Sequence, residues 1–244
     1  MSALSLQIVQ PKHGAALAGA APVPLVGSLS GDPAGLFFKW FSSLNAAASK
    51  DHPELNTANH SAAILNWSAP LAEFGSHAIV LAAADQDGID LASVKAVKRS
   101  AMAGGAPPAA PAPCVVHRLV AAIRAPAANA QLSKNAATIE FLAPLRWAKP
   151  GNAASWIADA DYQAVNGITM DLRIAPVGAP DPAHTADIPL DLAALAFFRA
   201  DDKTWFRRTG PLPANLGTGK HTLTLSARAG GTAVSAARDV TLTP

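Results

Sequence analysis

The sequence predicts an all-β protein of two antiparallel β-sandwiches joined by a short Pro/Ala-rich linker. Three observations predict it. Apolar and polar residues alternate with period two over several segments, the pattern of strands buried on one face. A glycine-led strand, a tight turn and a closing strand recur at the end of each half of the chain. The 17 glycines and 20 prolines spread over 244 residues leave no helix-length stretch without a breaker, so the richness in alanine does not signal a helical bundle. A 50% hydrophobic and 15% charged composition excludes ordinary disorder. The length suffices for two domains, each with its own core.

In chain order, Leu4, Leu6 and Ile8 alternate with Ser5 and Gln7 and predict the first strand. Residues 43–63 break the strand pattern and are expected as a loop or small insert. The stretch from Phe74 to Gly88 (FGSHAIVLAAADQDG) reads as a strand and a turn, followed by a closing strand near Leu91 to Arg99. Ala101 to Pro113 (AMAGGAPPAAPAP) is uncharged and aperiodic, as expected of a semi-rigid linker. The expected division is therefore residues 1–100, a linker over 101–113, and a second domain over 114–244 with an insertion near 144–167.

Within that second domain, Met170, Leu172 and Ile174 alternate with Thr169, Asp171 and Arg173. Phe197 to Arg208 reads as a hairpin turning at Ala200-Asp201-Asp202-Lys203. Leu223, Leu225 and Ala227 alternate with Thr222, Thr224 and Ser226, leading through Gly230-Gly231 into a strand near Thr232 to Leu242. The openings of the halves also match, IVQPKHGAAL within residues 6–17 against IRAPAANAQL within 123–132.

Phe38-Lys39-Trp40-Phe41-Ser42-Ser43-Leu44, then Trp67-Ser68-Ala69-Pro70-Leu71, then GSHAIVLAAADQDG, resemble bacterial immunoglobulin-like (Big/fibronectin-III-like) modules. The resemblance spans most of residues 5–99. In the second half it rests on the first strand and the C-terminal hairpin. It implies immunoglobulin-like sandwiches in tandem, with Trp40 on the third strand packed in the first core and no disulfide beside it. Modules of this kind serve as spacers, adhesins and assembly parts, so the resemblance implies no single activity.

The chemistry-bearing residues are sparse. The net charge is +2, made of −1 over residues 1–99 and +3 over 114–244, with no basic stripe for phosphate neutralisation, so no nucleic-acid partner is expected. A lone cysteine, Cys114, forbids an internal disulfide and any multi-cysteine metal site. Gly217-Thr218-Gly219-Lys220 lacks the upstream glycine and the Ser/Thr of a P-loop. Gly27-Ser28-Leu29-Ser30-Gly31 has leucine where a nucleophile elbow needs serine. Asp85 to Asp90 begins like a calcium loop, but Ala96 stands where the bidentate glutamate belongs. Asp51, His52, Glu54 and His60 suit a surface loop as well as a metal, and no metal or cofactor is expected. Asn59-His60-Ser61 and Asn66-Trp67-Ser68 fit the glycosylation sequon, which matters only in a eukaryotic secretory pathway.

The first residues lack the basic and apolar regions of a signal peptide, and the best apolar run, Ala78 to Ala84, is too short to span a bilayer. Cytoplasmic synthesis without membrane insertion is expected, or export if a leader has been removed. The expected contact surface for a protein partner is Arg146, Trp147, Trp156 and Tyr162, because aromatic rings beside basic groups on loops commonly anchor recognition. The same rings could instead close the second core. Trp205-Phe206-Arg207-Arg208 is read as one face of a hairpin. The expected function is a non-catalytic structural or binding subunit of a larger assembly, such as a phage-like or injection-type particle. The alternatives are a carbohydrate-binding or adhesive module, and an enzyme whose site includes Asp159 and Asp161 in the 144–167 insertion. A glycan or small-molecule ligand is left open.

Overall fold

The computed structural model describes residues 5–84, 114–144 and 167–244, apart from 20, 33, 43, 45–54, 56–60, 70, 72–73, 179–180, 193 and 202. Every regular element longer than a single 3-10 turn among them is a β-strand. They divide into two compact units. The first holds the strands up to Arg118 together with Gly167, and the second runs over Leu119–Leu145 and Ile168–Pro244.

The first unit contains β1 (Ser5–Gln10), β2 (Ala15–Ala18), β3 (Val23–Ser30), β4 (Phe37–Ser42), β5 (Asn66–Ala69), β6 (Gly75–Ala84) and β7 (Cys114–Leu119). One sheet has the order β1-β3-β5 and the other β2-β7-β6-β4. Leu6, Val23, Leu25 and Ala69 from the first meet Phe38, Trp40, Ile79, Leu81, Cys114 and Val116 from the second in one core. Trp40 is fully buried on the third strand position, as the resemblance implies. Its indole Nε1–H donates to the Ile64 carbonyl at 2.8 Å, which satisfies the polar atom that a buried tryptophan carries.

β7 departs from the sequence reading. Cys114 was expected to open the second domain, yet Ile79↔Cys114, His77↔Val116 and Gly75↔Arg118 pair antiparallel, so this strand completes the sheet of the first unit. All six of its residues are buried. A strand covered on both faces shows no alternation, which removes the signal that would have assigned it. The expected strand near 91–99, the Asp85 to Asp90 turn and the 101–113 linker lie outside the described residues.

The second unit contains β8 (Ile123–Ala125), β9 (Gln131–Ser133), β10 (Ala137–Leu142), β11 (Thr169–Pro176), β12 (Ala186–Pro189), β13 (Ala196–Ala200), β14 (Lys203–Gly210), β15 (Gly219–Ala229) and β16 (Thr232–Thr243). Its sheets are β13-β14-β10-β8 and β12-β11-β15-β16-β9. Met170, Leu172 and Ile174 are buried, as are Leu223, Leu225 and Ala227, while their alternates lean outward, as period two requires. Ala229↔Thr232 closes the last hairpin over Gly230 and Gly231, whose φ of 49° and 81° are those of a type I′ turn. The hairpin expected at Phe197 to Arg208 is β13 and β14, with Ala200↔Lys203 flanking the turn.

The matching openings have a structural counterpart. In each unit the first strand runs along one sheet, breaks at a cis X-Pro bond (Gln10-Pro11, Ala125-Pro126), and continues in the other sheet. β1 pairs with β3 and β2 lies beside β7; β8 pairs with β10 and β9 runs parallel to β16.

Candidate interaction surface

Arg146, Trp147, Trp156 and Tyr162 lie outside the described residues, as do Asp159, Asp161 and the candidate ligands Asp51, His52, Glu54 and His60. Gly217 to Lys220 leads directly into β15, with no helix N-terminus to face a phosphate. Among the described residues no three His, Cys, Asp or Glu side chains gather as a metal site would need. No described helix is long and apolar enough to cross a membrane.

The first unit turns its reactive groups inward. Ser42 Oγ and His77 Nδ1 lie 2.9 Å apart, and Ser76 Oγ and His117 Nδ1 also 2.9 Å apart. All four side chains are buried, so neither pair presents a nucleophile to a substrate. Burial holds the His117 imidazole below its ordinary pKa of 6.5, with His13 adding to the effect. A Cβ on Gly167 would stand 2.8 Å from this ring, so a side chain there would force the imidazole to move. Arg118 is buried as well and donates through Nε to the Leu71 carbonyl and through Nη2 to that of Ala21, both at 2.7 Å, tying two connections to the sheet. Burial pushes the Cys114 thiol up to about 11, and its Sγ lies 3.1 Å from the Pro11 carbonyl.

The second unit carries its polar chemistry outward. In the sheet β13-β14-β10-β8, Glu140 faces Arg207, Leu142 faces Trp205 and Phe198 faces Trp205 across adjacent strands, so these residues share the outer face. Phe141 and Phe206 fall on the inner face, with ring centroids 5.9 Å apart. The tetrapeptide Trp205-Phe206-Arg207-Arg208 is therefore split between two faces, as a strand must split it.

Glu140 is the centre of this surface. Its Oε1 accepts from Arg207 Nε at 3.0 Å and Nη2 at 2.8 Å, and its Oε2 accepts from Arg124 Nη1 at 2.7 Å. Burial alone would push its carboxyl up, but the two guanidiniums outweigh that and hold it below the ordinary carboxylate range. Arg124 also reaches Asp201 at 3.4 Å. The arginines stack on aromatic rings: Arg207 is 4.5 Å from the Phe198 centroid, and Arg124 is 5.6 Å from Phe198 and 5.9 Å from Trp205. Two cations, two carboxylates and two rings thus form a charge-balanced plate. Trp205 is only 8% exposed, Trp40 is fully buried and Trp67 half-buried, so no described tryptophan offers an open stacking platform. Phe197, opposite Phe206 and so on the face away from the plate, is 72% exposed.

Sequence reasoning missed Glu140 and Arg124. Alternation along β14 could have put Trp205 and Arg207 on one face, but nothing local links them to Glu140, which lies 67 positions away.

No protein-family model matches the chain, and no curated protein matches it. Solved structures align with it at low identity. An engineered protein aligns at 16% identity and TM-score 0.27 over 53% of this chain, which spans 22% of that protein's length. The Clostridium thermocellum CbhA fibronectin(III)-like modules align at 11% identity and TM-score 0.32, over 97% of this chain and 92% of theirs. Three N-terminal domains of the bacteriophage RB49 Highly Immunogenic Outer Capsid protein align at 11% and 0.35, over 98% and 69%. The class follows from the chain's own strand order. A first strand shared between two sheets as β1 and β2, one sheet built on β4, β6 and β7, and a core tryptophan on β4, the third strand when β1 and β2 count as one, are features of an immunoglobulin-like β-sandwich.

Proposed function

We propose that the protein is a non-catalytic structural or binding subunit of a larger assembly, held there by protein partners. The observation that carries this reading is the contrast between its polar groups and its edge. Ser42, His77, Ser76 and His117 are sealed in the first unit, and Glu140 is matched by two arginines in the second. Phe197, the most exposed large apolar side chain among the described residues, sits on a sheet edge, where association by backbone pairing is available. A rigid sandwich with closed chemistry and an open edge suits holding a neighbour better than turning over a substrate.

Assembly in the cytoplasm into a phage-like or injection-type particle is the setting we favour. The Arg146, Trp147, Trp156 and Tyr162 segment is proposed as a second contact surface. Native mass measurement of the protein from its own lysate tests the reading, paired with co-purification of Trp147→Ala and Trp156→Ala variants. A complex with partner chains that these folded variants lose is expected. A chain without any partner in its lysate, or a turnover abolished by Asp159→Ala, would overturn the proposal.

A further inference from the structure

Of the described sheet edges, β13 is the least guarded. β12 carries Asp187 in an ion pair with Arg173 and ends in Pro189, while β8 and β9 have three residues each, and β8 joins its neighbour through a register shift. In the first unit, β1 is broken by a register shift, β2 and β5 have four residues, and the Trp40 carbonyl of β4 accepts from Leu55 N–H at 2.8 Å. β13 instead pairs in unbroken register over Ala196–Ala200, has no proline, lysine or bulge, and exposes Phe197. Of the devices that normally keep an edge from pairing, β13 carries only the charge of Arg199.

Its sequence is also complementary to itself. The hairpin closes on Ala200↔Lys203 across two residues, so Ala200, Phe198 and Ala196 turn their backbone N–H and C=O groups toward β14. Phe197 and Arg199 turn theirs toward the open edge. An antiparallel copy centred on Phe198 sets Phe197 opposite the second copy's Arg199, and Arg199 opposite its Phe197, in the hydrogen-bonded positions that this alternation leaves free. Each such pair places a guanidinium against a ring on one face of the sheet. On the other face Phe198 meets its own copy, with Ala196 opposite Ala200 on either side, small enough for the backbones to close. Arg207 and Arg124 are already matched by Glu140 and Asp201, so the charge added at the dyad is that of the two Arg199 guanidiniums, each set against a ring.

We propose that β13 is a homotypic interface: two copies of this chain join antiparallel through Ala196–Ala200, merging their four-stranded sheets into one of eight strands. The inference rests on the reading of the protein as an assembly subunit and names the partner as a second copy.

The test is sedimentation equilibrium of the full chain over micromolar to millimolar concentration, with folding checked by thermal melting. A concentration-dependent dimer is expected. Phe197→Lys, an exposed position that leaves the core intact, sets lysine against the second copy's Arg199. It should weaken the dimer by about tenfold or more through the loss of two cation–π pairs. Mixing it with Arg199→Glu should restore association between unlike chains only, since lysine then faces glutamate while the other phenylalanine keeps its arginine. Phe198→Cys should form a covalent dimer on oxidation, because residues opposite each other at a non-hydrogen-bonded position lie about 4.5 Å apart, within disulfide reach. Ala196→Cys, opposite Ala200, should not. A chain that stays monomeric throughout, or a dimer indifferent to Phe197→Lys, would overturn the inference. A monomer whose lysate complex with other proteins survives Phe197→Lys would overturn it while leaving the assembly reading intact.

Discussion

Removing Glu140 is the sharpest probe of the second unit. Glu140→Ala deletes a carboxylate that is 8% exposed and accepts three hydrogen bonds from two guanidiniums, and it leaves Arg124 with Asp201 alone. Breaking a fully buried ion pair costs about 3–5 kcal/mol, because the surviving charge is stranded in the interior. Here the surviving arginine side chains are 38% and 48% exposed and can turn to water, so the lower figure of about 2 kcal/mol, that of a lost charged hydrogen bond, is expected. For a domain of this size that corresponds to a fall in Tm of about 10 °C. Glu140→Gln keeps the shape and one acceptor and should cost about half as much.

The pH dependence separates charge from packing. The Glu140 carboxyl is held below its ordinary value of 4.5, so its contribution is present above that pH and is lost as pH falls through the lower folded value. Exchange protection of the β10 and β14 amides in urea, at pH 7 and at pH 3, gives the stability of this unit. The difference between wild type and Glu140→Gln should shrink at pH 3. A loss under about 0.5 kcal/mol at pH 7, or a difference unchanged by acid, would refute the argument that the carboxylate holds the arginine plate together.

Four further outcomes are expected. The His117 imidazole is held below its ordinary 6.5, so the unfolded chain takes the proton first; the first unit should lose stability as pH falls below 6.5, and His117→Gln should remove that part of the slope in an acid titration of the fold. Trp40→Phe should destabilise the first unit by about 2–3 kcal/mol in chemical denaturation, through lost volume and an orphaned Ile64 carbonyl, and a change within about 0.5 kcal/mol would contradict the packing described. Cys114, with its thiol pushed up to about 11, should resist thiol reagents at pH 8 until the protein unfolds, and labelling of the native chain at the rate of a free thiol would show the strand to be open. Reducing agent should leave Tm unchanged, because a single cysteine closes no loop within the chain.

The sequence by itself determined the strands that bury one face. Met170-Leu172-Ile174 and Leu223-Leu225-Ala227 alternate because one side of their sheet meets a core and the other meets water, and that requirement is local. It also determined both hairpins, through Gly230-Gly231 and the Asp201 turn, the place of Trp40, and the internal repeat whose shared proline marks the crossing of the first strand between sheets. Tertiary structure decided the rest. Cys114–Leu119 carries no alternation because both of its faces are buried, and only its pairing with Gly75–Ile79 assigns it to the first unit. Glu140, Arg124 and Arg207 come from three strands far apart in sequence, and the carboxylate between them has meaning only once the sheet brings them together. Whether Phe197 is core or surface was equally hidden: its alternation matches that of its buried neighbour Phe206, and its place on the outermost described strand of that sheet leaves it in water. Side-chain period is a property of one strand, whereas edge, partner and sheet are properties of the whole arrangement.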